Sequence, residues 1–465
     1  MSEDALVRAA VRAEVREWLQ VHWDPDLALV EWRRALVAGG WMVPTWPLAW
    51  FGRDLPAWSE RIVAEERRAV GAVGPPLGGG MALAAPTVLA HGSDLLRRRL
   101  LEPTLTGEAT WCQLFSEPGA GSDLAGLTTR AERDGDEWVV TGQKVWTTSA
   151  HHADFGMLLA RTDWDVPKHR GLTYFALPMH QSGIEVRPLR QMNDHASFNE
   201  VFLDGARIPV DHVVGDVGGG WAVALTTLAH ERRYGAVVGE RAVAGGRGRA
   251  AAEYRAEVDA HDRTYRWYPQ RAGRPDLLAP LAAAAGRAGA PTVRQQVSAV
   301  EAMVRTSRWT AERARAARAL GRAPGAEGSL GKLAMSRVAR AAAAAHAHLA
   351  GADGLLARPD APGDGIVAEV LVSTPAQSIA GGTDEIQKTI VAERILGLPR
   401  EPQPDRDQPF RDVARPTAWR GLARDGRRGE TQPRQTPRRG VSGQPPGGVW
   451  RGMVAGVRRS RARRP

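Results

Sequence analysis

A glycine-rich run between residues 114 and 123 has the residue types of a loop that holds a ligand. It reads Leu-Phe-Ser-Glu-Pro-Gly-Ala-Gly-Ser-Asp. Because glycine has no side chain, Gly119 and Gly121 allow the main chain to turn tightly and to approach a ligand closely. Main-chain amides and hydroxyl groups exposed in such a turn can bind a carbonyl-rich or phosphate-bearing ligand. Alone, however, a Gly-x-Gly run predicts only a turn.

Two further runs give this one a context. Residues 142–148 read Gly-Gln-Lys-Val-Trp-Thr-Thr, and residues 380–387 read Ala-Gly-Gly-Thr-Asp-Glu-Ile-Gln. A helical stretch at 392–397, Ala-Glu-Arg-Ile-Leu-Gly, follows the third run. In residue types, order and separation, these runs resemble the flavin-contacting core and the closing helix of the acyl-CoA dehydrogenases. The resemblance extends from residue 1 to about residue 402.

The resemblance implies FAD as the cofactor and the α,β-dehydrogenation of an acyl-CoA thioester as the reaction. In that reaction a base removes the α-proton while hydride leaves Cβ for flavin N5. The implied flavin contacts lie within the three runs and are Phe115, Ser116, Ser122, Trp146, Thr148, Thr383 and Glu385. Ser122 would also meet the CoA chain. Without the resemblance, Trp146 would be interpreted as a buried aromatic residue of a sheet, and Thr383 as a helix N-cap.

A thioester α-proton is too weakly acidic for an unaided carboxylate, so the site must stabilise the developing enolate with hydrogen-bond donors. Many relatives carry a glutamate just before the Gly-Thr of the closing motif, where this chain has Gly381. Gly381 keeps its N–H, which leaves it a role in binding the substrate. A subset of the family places the base before an arginine on the first bundle helix, which here gives Glu231 and Arg232. We expect Glu231 to be the base and Arg232 to orient the loop or the substrate. The alternative for Glu231 is a solvated helix acid paired with an arginine.

The resemblance also implies an electron-transfer flavoprotein as the electron acceptor, and a homodimer or homotetramer as the assembly. Other hypotheses stay open. The lack of a glutamate at Gly381 fits a catalytically weak subunit of a heteromeric dehydrogenase. A DNA-binding flavoprotein that uses a basic tail, and a flavin oxidase or monooxygenase on the same scaffold, are the remaining alternatives.

The net charge of +10 is concentrated near the C-terminus. Residues 414–465 contain fourteen arginines and two acidic residues, so this tail contributes +12 and residues 1–413 carry −2. A folded surface that binds nucleic acid is expected to be basic itself. The nearly neutral body therefore argues against nucleic acid as a partner, and we interpret the tail as a solvated or non-functional extension.

The composition excludes several classes of protein. The chain has one cysteine, Cys112, so a disulfide framework and a cysteine-rich metal site are excluded, and we expect no bound metal. No apolar run approaches the ~20 residues that span a bilayer. The first residues, Met-Ser-Glu-Asp, carry acids where a secretory signal would carry basic residues. These features predict a cytoplasmic protein with no membrane partner.

The spacing of apolar residues changes twice along the chain. Helical spacing gives way at about residue 110 to short segments of period two, and it returns from residue 220. The predicted fold is α+β, with an N-terminal helical domain (1–109), a central antiparallel β-barrel or sandwich domain (110–215) and a C-terminal helical bundle (216–402). Residues 403–465, rich in Arg, Pro and Gly, are predicted to be a disordered tail.

Individual elements follow from the same patterns. Strands are predicted at 138–141 continuing through Gly142 to 145–147, and at 155–160, 172–177, 184–186 and 201–203. Bundle helices are predicted at 221–243, 293–319, 331–349, 366–372 and 384–396. Residues 245–289, rich in Arg, Gly and Ala, show no pattern that predicts a definite element.

Overall fold

The N-terminal region is helical, as predicted. The computed structural model describes residues 3–237, 246–319, 322, 325–357, 360–402 and 405–413. The first helices are α1 (Glu3–His22), α2 (Leu29–Ala38), α3 (Trp58–Ala69), α4 (Ala85–His91) and α5 (Asp94–Thr106). Capping residues set both ends of helix α5. The Ser93 side chain accepts a hydrogen bond from Leu96 N (3.2 Å), and Gly107 ends the helix in the left-handed conformation (φ +85°).

The middle region forms one sheet, which is mainly antiparallel. Its strands are β1 (Trp111–Leu114), β2 (Arg130–Asp134), β3 (Glu137–Thr148), β4 (Phe155–Arg161), β5 (Leu172–Pro178), β6 (Ile184–Leu189) and β7 (Phe198–Pro209). The strand order is β1-β4-β2-β3-β7-β6, and β5 pairs with β4. The β1–β4 pairing and a short β2–β4 contact are parallel, which the prediction of an antiparallel domain did not include. These two pairings join strands that are distant in sequence, so no local pattern indicates them.

Strands β4 and β5 are buried on both faces. On β4, Met157 and Leu159 belong to a core shared with the N-terminal helices, whereas Leu158 and Ala160 belong to a second core formed by the other strands of the sheet. A strand covered on both sides carries an uninterrupted apolar run instead of alternating polar and apolar residues. The central strands therefore attach the sheet firmly to the helices that precede it.

The remaining helices form the C-terminal region. They are α6 (Gly220–Val237), α7 (Arg249–Thr264), α8 (Tyr268–Arg271), α9 (Leu278–Ala284), α10 (Pro291–Ala319), α11 (Glu327–Ala350), α12 (Ile366–Ser373) and α13 (Asp384–Arg394). Helices occur at the five predicted places, although the predicted end of the first, at residue 243, lies outside the described residues. Helices α7–α9 occupy the segment for which the sequence predicted no element. None of the described helices combines the length and apolar character needed to cross a membrane.

The folded part of the chain extends past the predicted boundary at residue 403. Phe410 is buried, and its N–H donates to the Val166 carbonyl (2.9 Å). The Phe410 ring lies 3.5 Å from the guanidinium of Arg161, a fully buried cation that donates to the carbonyls of Ala125, Leu127 and Lys168. An aromatic face stabilises a desolvated cation, and together with the hydrogen bond from Arg411 N to the Trp164 carbonyl (3.0 Å) this contact holds residues 405–413 in place. Residues 414–465, where the rest of the predicted tail lies, are outside the described residues.

A buried ion pair fixes the glycine-rich loop on the sheet. Lys144 of β3 is fully buried, and its ammonium lies 3.0 Å from a carboxylate oxygen of Glu117, whose side chain is 3% exposed. The ammonium also donates to the main-chain carbonyls of Phe115 (3.0 Å) and Leu159 (2.8 Å). A buried charge is tolerated only when its hydrogen-bonding capacity is filled, and here all three ammonium protons have an acceptor.

The Glu117 carboxylate is equally well satisfied. It accepts hydrogen bonds from the main-chain N–H groups of Thr128 (2.7 Å) and Thr129 (2.8 Å), and from the Thr128 hydroxyl (2.9 Å). Burial alone raises the pKa of Glu117, but the Lys144 ammonium and these donors outweigh it and hold the pKa below its usual value. The pair therefore joins the loop, β3, β4 and the segment before β2 in one charged network.

We predict that Glu117→Gln destabilises the protein by about 3–5 kcal/mol, because it leaves the Lys144 ammonium buried without its counter-charge. The quantity to measure is the free energy of unfolding in urea.

Asp123→Asn is the matched control for that experiment. Asp123 lies in the same loop and pairs with Lys168 (2.9 Å), but its side chain is 63% exposed, so its ion pair contributes at most about 1 kcal/mol. Equal losses of stability in the two variants would contradict the role assigned to the buried pair.

Candidate functional site

Trp146 stands out from the sheet that carries it. It has a positive φ of +63°, and the pairing of β3 with β7 shifts register between Lys144 and Thr147. Its side chain is 55% exposed, and its ring meets Phe198 edge-on at 5.7 Å. A left-handed tryptophan inside a strand is strained, and strain of this kind concentrates at functional sites. The structure thus overturns the interpretation of Trp146 as a buried sheet aromatic and presents its ring as an apolar platform.

The other predicted residues of the first two runs lie along the same edge. Ser116 is half-buried, and its carbonyl accepts a hydrogen bond from Val145 N (2.9 Å), which brings the loop beside Trp146. Thr148 ends β3 opposite Phe198. The Phe115 ring is buried against Tyr174 (5.8 Å), so a contact of Phe115 with a flavin has to come from its main chain.

Ser122 lies farther along the glycine-rich loop and is exposed to solvent. Its neighbour Asp123 is bonded by Lys168, whose carbonyl in turn accepts from Arg161. The outer part of the loop is therefore held from the segment between β4 and β5. An exposed serine on a fixed loop has the hydrogen-bonding groups needed to meet a polar, extended ligand.

The third run begins in a short segment before α13 and continues into that helix. We call residues 377–383 the closing loop. Gly381 and Gly382 both have positive φ values, +68° and +85°, which explains why both positions carry glycine. Thr383 caps α13 by accepting a hydrogen bond from Ile386 N (3.2 Å), as its helix N-cap interpretation predicted. Glu385, in the first turn of α13, is 77% exposed and lies 3.8 Å from Lys388.

Glu231 and Gly381 come together although 150 residues separate them. A Cβ atom built on Gly381 would lie 4.0 Å from Glu231 Oε1, which is an ordinary van der Waals distance. The Glu231 carboxylate therefore borders the space that a side chain at position 381 would fill. The Gln113 side-chain amide approaches the other oxygen, Oε2, at 3.5 Å from the end of β1 that leads into the glycine-rich loop.

Two predicted groups are less closely placed. The described contacts do not join Thr383 or Glu385 to Trp146 or Thr148, so their proximity to a dinucleotide stays a prediction. The side chain of Arg232 lies outside the described part of the structure, although its main chain belongs to α6. Among the described residues, no group of three or more His, Cys, Asp or Glu side chains could hold a metal ion.

The structure adds two cations that the sequence analysis did not select. Arg271 of α8 lies close enough to Glu231 for their charges to interact, and Lys332 Cε lies 3.9 Å from the Cβ position built on Gly381. Burial lowers the pKa of both side chains. For Lys332 the Asp384 carboxylate opposes that shift, whereas the Arg271 and Arg340 cations add to it. The sequence offered one signal for Lys332, because only four of the 62 basic residues are lysines.

With this geometry in view, comparison with known proteins identifies the fold. Family models match in three segments: the acyl-CoA dehydrogenase N-terminal domain at residues 3–108, the middle domain at 112–206 and the C-terminal domain at 282–396. Glu231 lies between the second and third matches. The solved structure of the Tcur3481-Tcur3483 steroid ACAD G363A variant is 26% identical with a TM-score of 0.59, and the match covers 85% of this chain and 100% of that chain. The ChsE4-ChsE5 complex from Mycobacterium tuberculosis has the same fold (TM-score 0.56, 24% identity, 86% of this chain and 99% of that chain).

Curated relatives agree with the structural matches. Acyl-CoA dehydrogenase FadE34 of Mycobacterium tuberculosis is 49% identical over 207 residues, which cover 44% of this chain and 29% of that longer protein. Acyl-CoA dehydrogenase IpdE1 of the same organism is 33% identical over 412 residues, which cover 84% of this chain and 97% of that protein. The chain belongs to the acyl-CoA dehydrogenase family of oxidoreductases.

Proposed function

We propose that the protein removes the α-proton of an acyl-CoA thioester with Glu231 and dehydrogenates the substrate across Cα–Cβ. The observation that carries this proposal is the 4.0 Å between Glu231 Oε1 and the Cβ position of Gly381. Glu231 can place a carboxylate where many relatives would place the glutamate that this chain lacks. The acid is half-buried on an 18-residue helix, so its position is set by the scaffold and not by a mobile loop.

The groups around Glu231 suit the chemistry of α-proton removal. The carboxylate needs donors that stabilise the negative charge developing on the thioester oxygen, because the proton is otherwise too weakly acidic. The Gly381 N–H belongs to a loop with no side chain at two successive positions, so a substrate carbonyl can approach it closely. Arg271 and Lys332 add positive charge on this side of the site, which favours an anionic transition state over the neutral substrate.

The residues at the edge of the sheet support the proposal that the site binds FAD. The exposed Trp146 ring offers an apolar face, and Ser116 and Thr148 offer polar groups along the same edge. These residues would hold the isoalloxazine, and Ser122 would hold the phosphate-bearing part of the cofactor or substrate. When bound, FAD supplies the electron acceptor for the hydrogen that leaves Cβ. An electron-transfer flavoprotein as the next acceptor is part of the same proposal.

A second candidate function is a subunit of a mixed oligomer. The solved relatives include two-component proteins, Tcur3481-Tcur3483 and ChsE4-ChsE5. The presence of Gly381, where many relatives have a glutamate, would fit a chain whose partner subunit carries the catalytic base. Because Glu231 borders the Gly381 position, we favour an active chain, alone or with such a partner. The basic tail, on which the DNA-binding alternative depends, lies outside the described residues.

We predict that FAD-loaded protein bleaches on anaerobic titration with an acyl-CoA of the correct class, and that Glu231→Gln abolishes the bleaching. A proton-transfer residue contributes ~10²–10⁴-fold to a rate, so the loss should be near complete on the time scale of the titration. Flavin absorbance is the measurement, with short, branched, long-chain and ring-bearing acyl-CoAs as the panel.

Glu301→Gln is the matched control for Glu231→Gln. Glu301 lies on α10, pairs with Arg305 and is 54% exposed, so the variant should bleach like the wild type. Full bleaching by Glu231→Gln would remove Glu231 from the role of base. FAD that binds but never bleaches with any acyl-CoA, and bleaches only after a partner chain is added, would favour the mixed oligomer.

We predict that Trp146→Ala weakens FAD binding about tenfold or more, since burying a large apolar side chain stabilises a complex by ~1.5–3 kcal/mol. The dissociation constant can be measured from the quenching of flavin fluorescence. Trp309→Ala is the control, because Trp309 is also 55% exposed but lies on α10. Equal affinities of Trp146→Ala and the wild type would place the flavin elsewhere.

A further inference from the structure

Groups from two helices hold the closing loop at Gln377. The Lys332 ammonium donates to the Gln377 main-chain carbonyl, and the Ser336 hydroxyl donates to the same oxygen (3.1 Å). Arg271 Nε donates to the side-chain oxygen of Gln377 (3.0 Å). Gln377 is 3% exposed, so these bonds are shielded from water. We call the four residues Arg271, Lys332, Ser336 and Gln377 the latch.

The latch contacts a carbonyl that the helical hydrogen-bond pattern leaves open. Gln377 is next to last in the short helical turn Thr374–Ser378, and the final carbonyls of a helical segment have no partner within it. A cation at such an end satisfies the carbonyl and complements the partial negative charge of the peptide dipoles. Lys332 supplies this charge from α11, and its side chain is only 13% exposed.

The same helix also holds the other end of the closing loop. Arg340, two turns after Lys332 on α11, donates to the Ser378 hydroxyl beside Gln377 and, past the far end of the loop, to Asp384 Oδ2 (2.8 Å). Asp384 Oδ1 lies 4.0 Å from the Lys332 ammonium. Between these anchors lie Gly381 and Gly382, which have no side chains with which to pack. Their main-chain path is therefore held by the anchors on each side and by the Gln387 side-chain amide, which donates to the carbonyls of Gly381 (3.4 Å) and Gly382 (3.5 Å).

Lys332 also borders the proposed reaction site directly. Its Cε and Glu231 Oε1 lie 3.9 and 4.0 Å from the same point, the Cβ position built on Gly381. Any shift of the Lys332 side chain changes the packing beside Gly381 and, through the Gln377 carbonyl, the path of the closing loop. Donors that stabilise a transition state must be placed within about 0.5 Å, and a misplacement of about 1 Å can reduce a rate ~10²-fold.

We infer that Lys332 is a positioning residue for the proposed dehydrogenation: anchored on the Gln377 carbonyl, it sets the position of the Gly381 N–H relative to the Glu231 carboxylate. This inference rests on the proposed function. Lys332 itself transfers no proton, and its ammonium stays bonded to the Gln377 carbonyl. Arg271 acts on the side chain of the same glutamine and supports the loop from α8.

The test uses 3-thia-acyl-CoA analogues with short, long and ring-bearing acyl groups. Their α-protons can be removed, but the sulfur at the β position has no hydrogen to give up, so proton removal is observed alone. The readout is exchange of the α-protons with D₂O on the FAD-loaded protein, followed by mass spectrometry. We expect Lys332→Met to reduce the exchange rate about 10–100-fold with unchanged FAD affinity, and Lys332→Arg to recover part of the loss.

Lys388→Met is the matched control, because Lys388 lies on α13 and is 65% exposed. It should exchange at the wild-type rate. A Lys332→Met protein that melts at a lower temperature but exchanges at the wild-type rate would overturn the inference and leave Lys332 a structural role only. If Lys332→Met does not fold, Lys332→Gln removes the charge and shortens the same side chain, and a wild-type exchange rate there would overturn the inference equally. A wild-type protein that exchanges no α-proton would instead overturn the proposed function, and the inference with it.

Discussion

The buried pair of Glu117 and Lys144 is the interaction on which the geometry of the site depends. Two opposite charges have been removed from water, and main-chain groups compensate both. Carbonyls of the glycine-rich loop and β4 accept from Lys144, and N–H groups before β2 donate to Glu117. The cost of removing both charges from water offsets much of the attraction between them. The main effect of the pair is therefore to hold these segments in one arrangement. Because Lys144 is two residues before Trp146, that arrangement also fixes where the exposed indole emerges from the sheet.

A second charged network, on the helical side, does for the closing loop what this pair does for the glycine-rich loop. Lys332 and Arg271 bind Gln377, and Gly381 follows four residues later with its main chain exposed to solvent. Glu231 then reaches Gly381 from α6. In both networks a lysine ammonium bonded to a main-chain carbonyl orients a glycine-containing loop. The proposed chemistry lies where the sheet and the bundle bring these two loops toward each other through β1 and α6.

The sequence predicted the order of the domains well, because the change from helical to period-two spacing is local. The three motif runs were also found in the sequence, whereas the role of Glu231 as a base, which the family resemblance implies, stays a prediction. Helices α7–α9 were missed since alanine and arginine dominate them and few large apolar residues mark a buried face. The latch was missed because Lys332 and Gln377 are 45 residues apart. The folded segment 405–413 was missed because its contacts are long-range, with Phe410 against Arg161 and Arg411 against Trp164.

The central claim is that Glu231 occupies the functional position that a side chain at Gly381 would have. Moving the carboxylate tests it most directly: the double variant Glu231→Gln, Gly381→Glu is compared with Glu231→Gln in the anaerobic acyl-CoA titration. A Cβ at position 381 meets no atom closer than 3.9 Å, although a φ of +68° costs a non-glycine residue ~1–2 kcal/mol. We expect the double variant to regain part of the flavin bleaching that Glu231→Gln loses. A double variant that binds FAD and acyl-CoA but stays unbleached would contradict it.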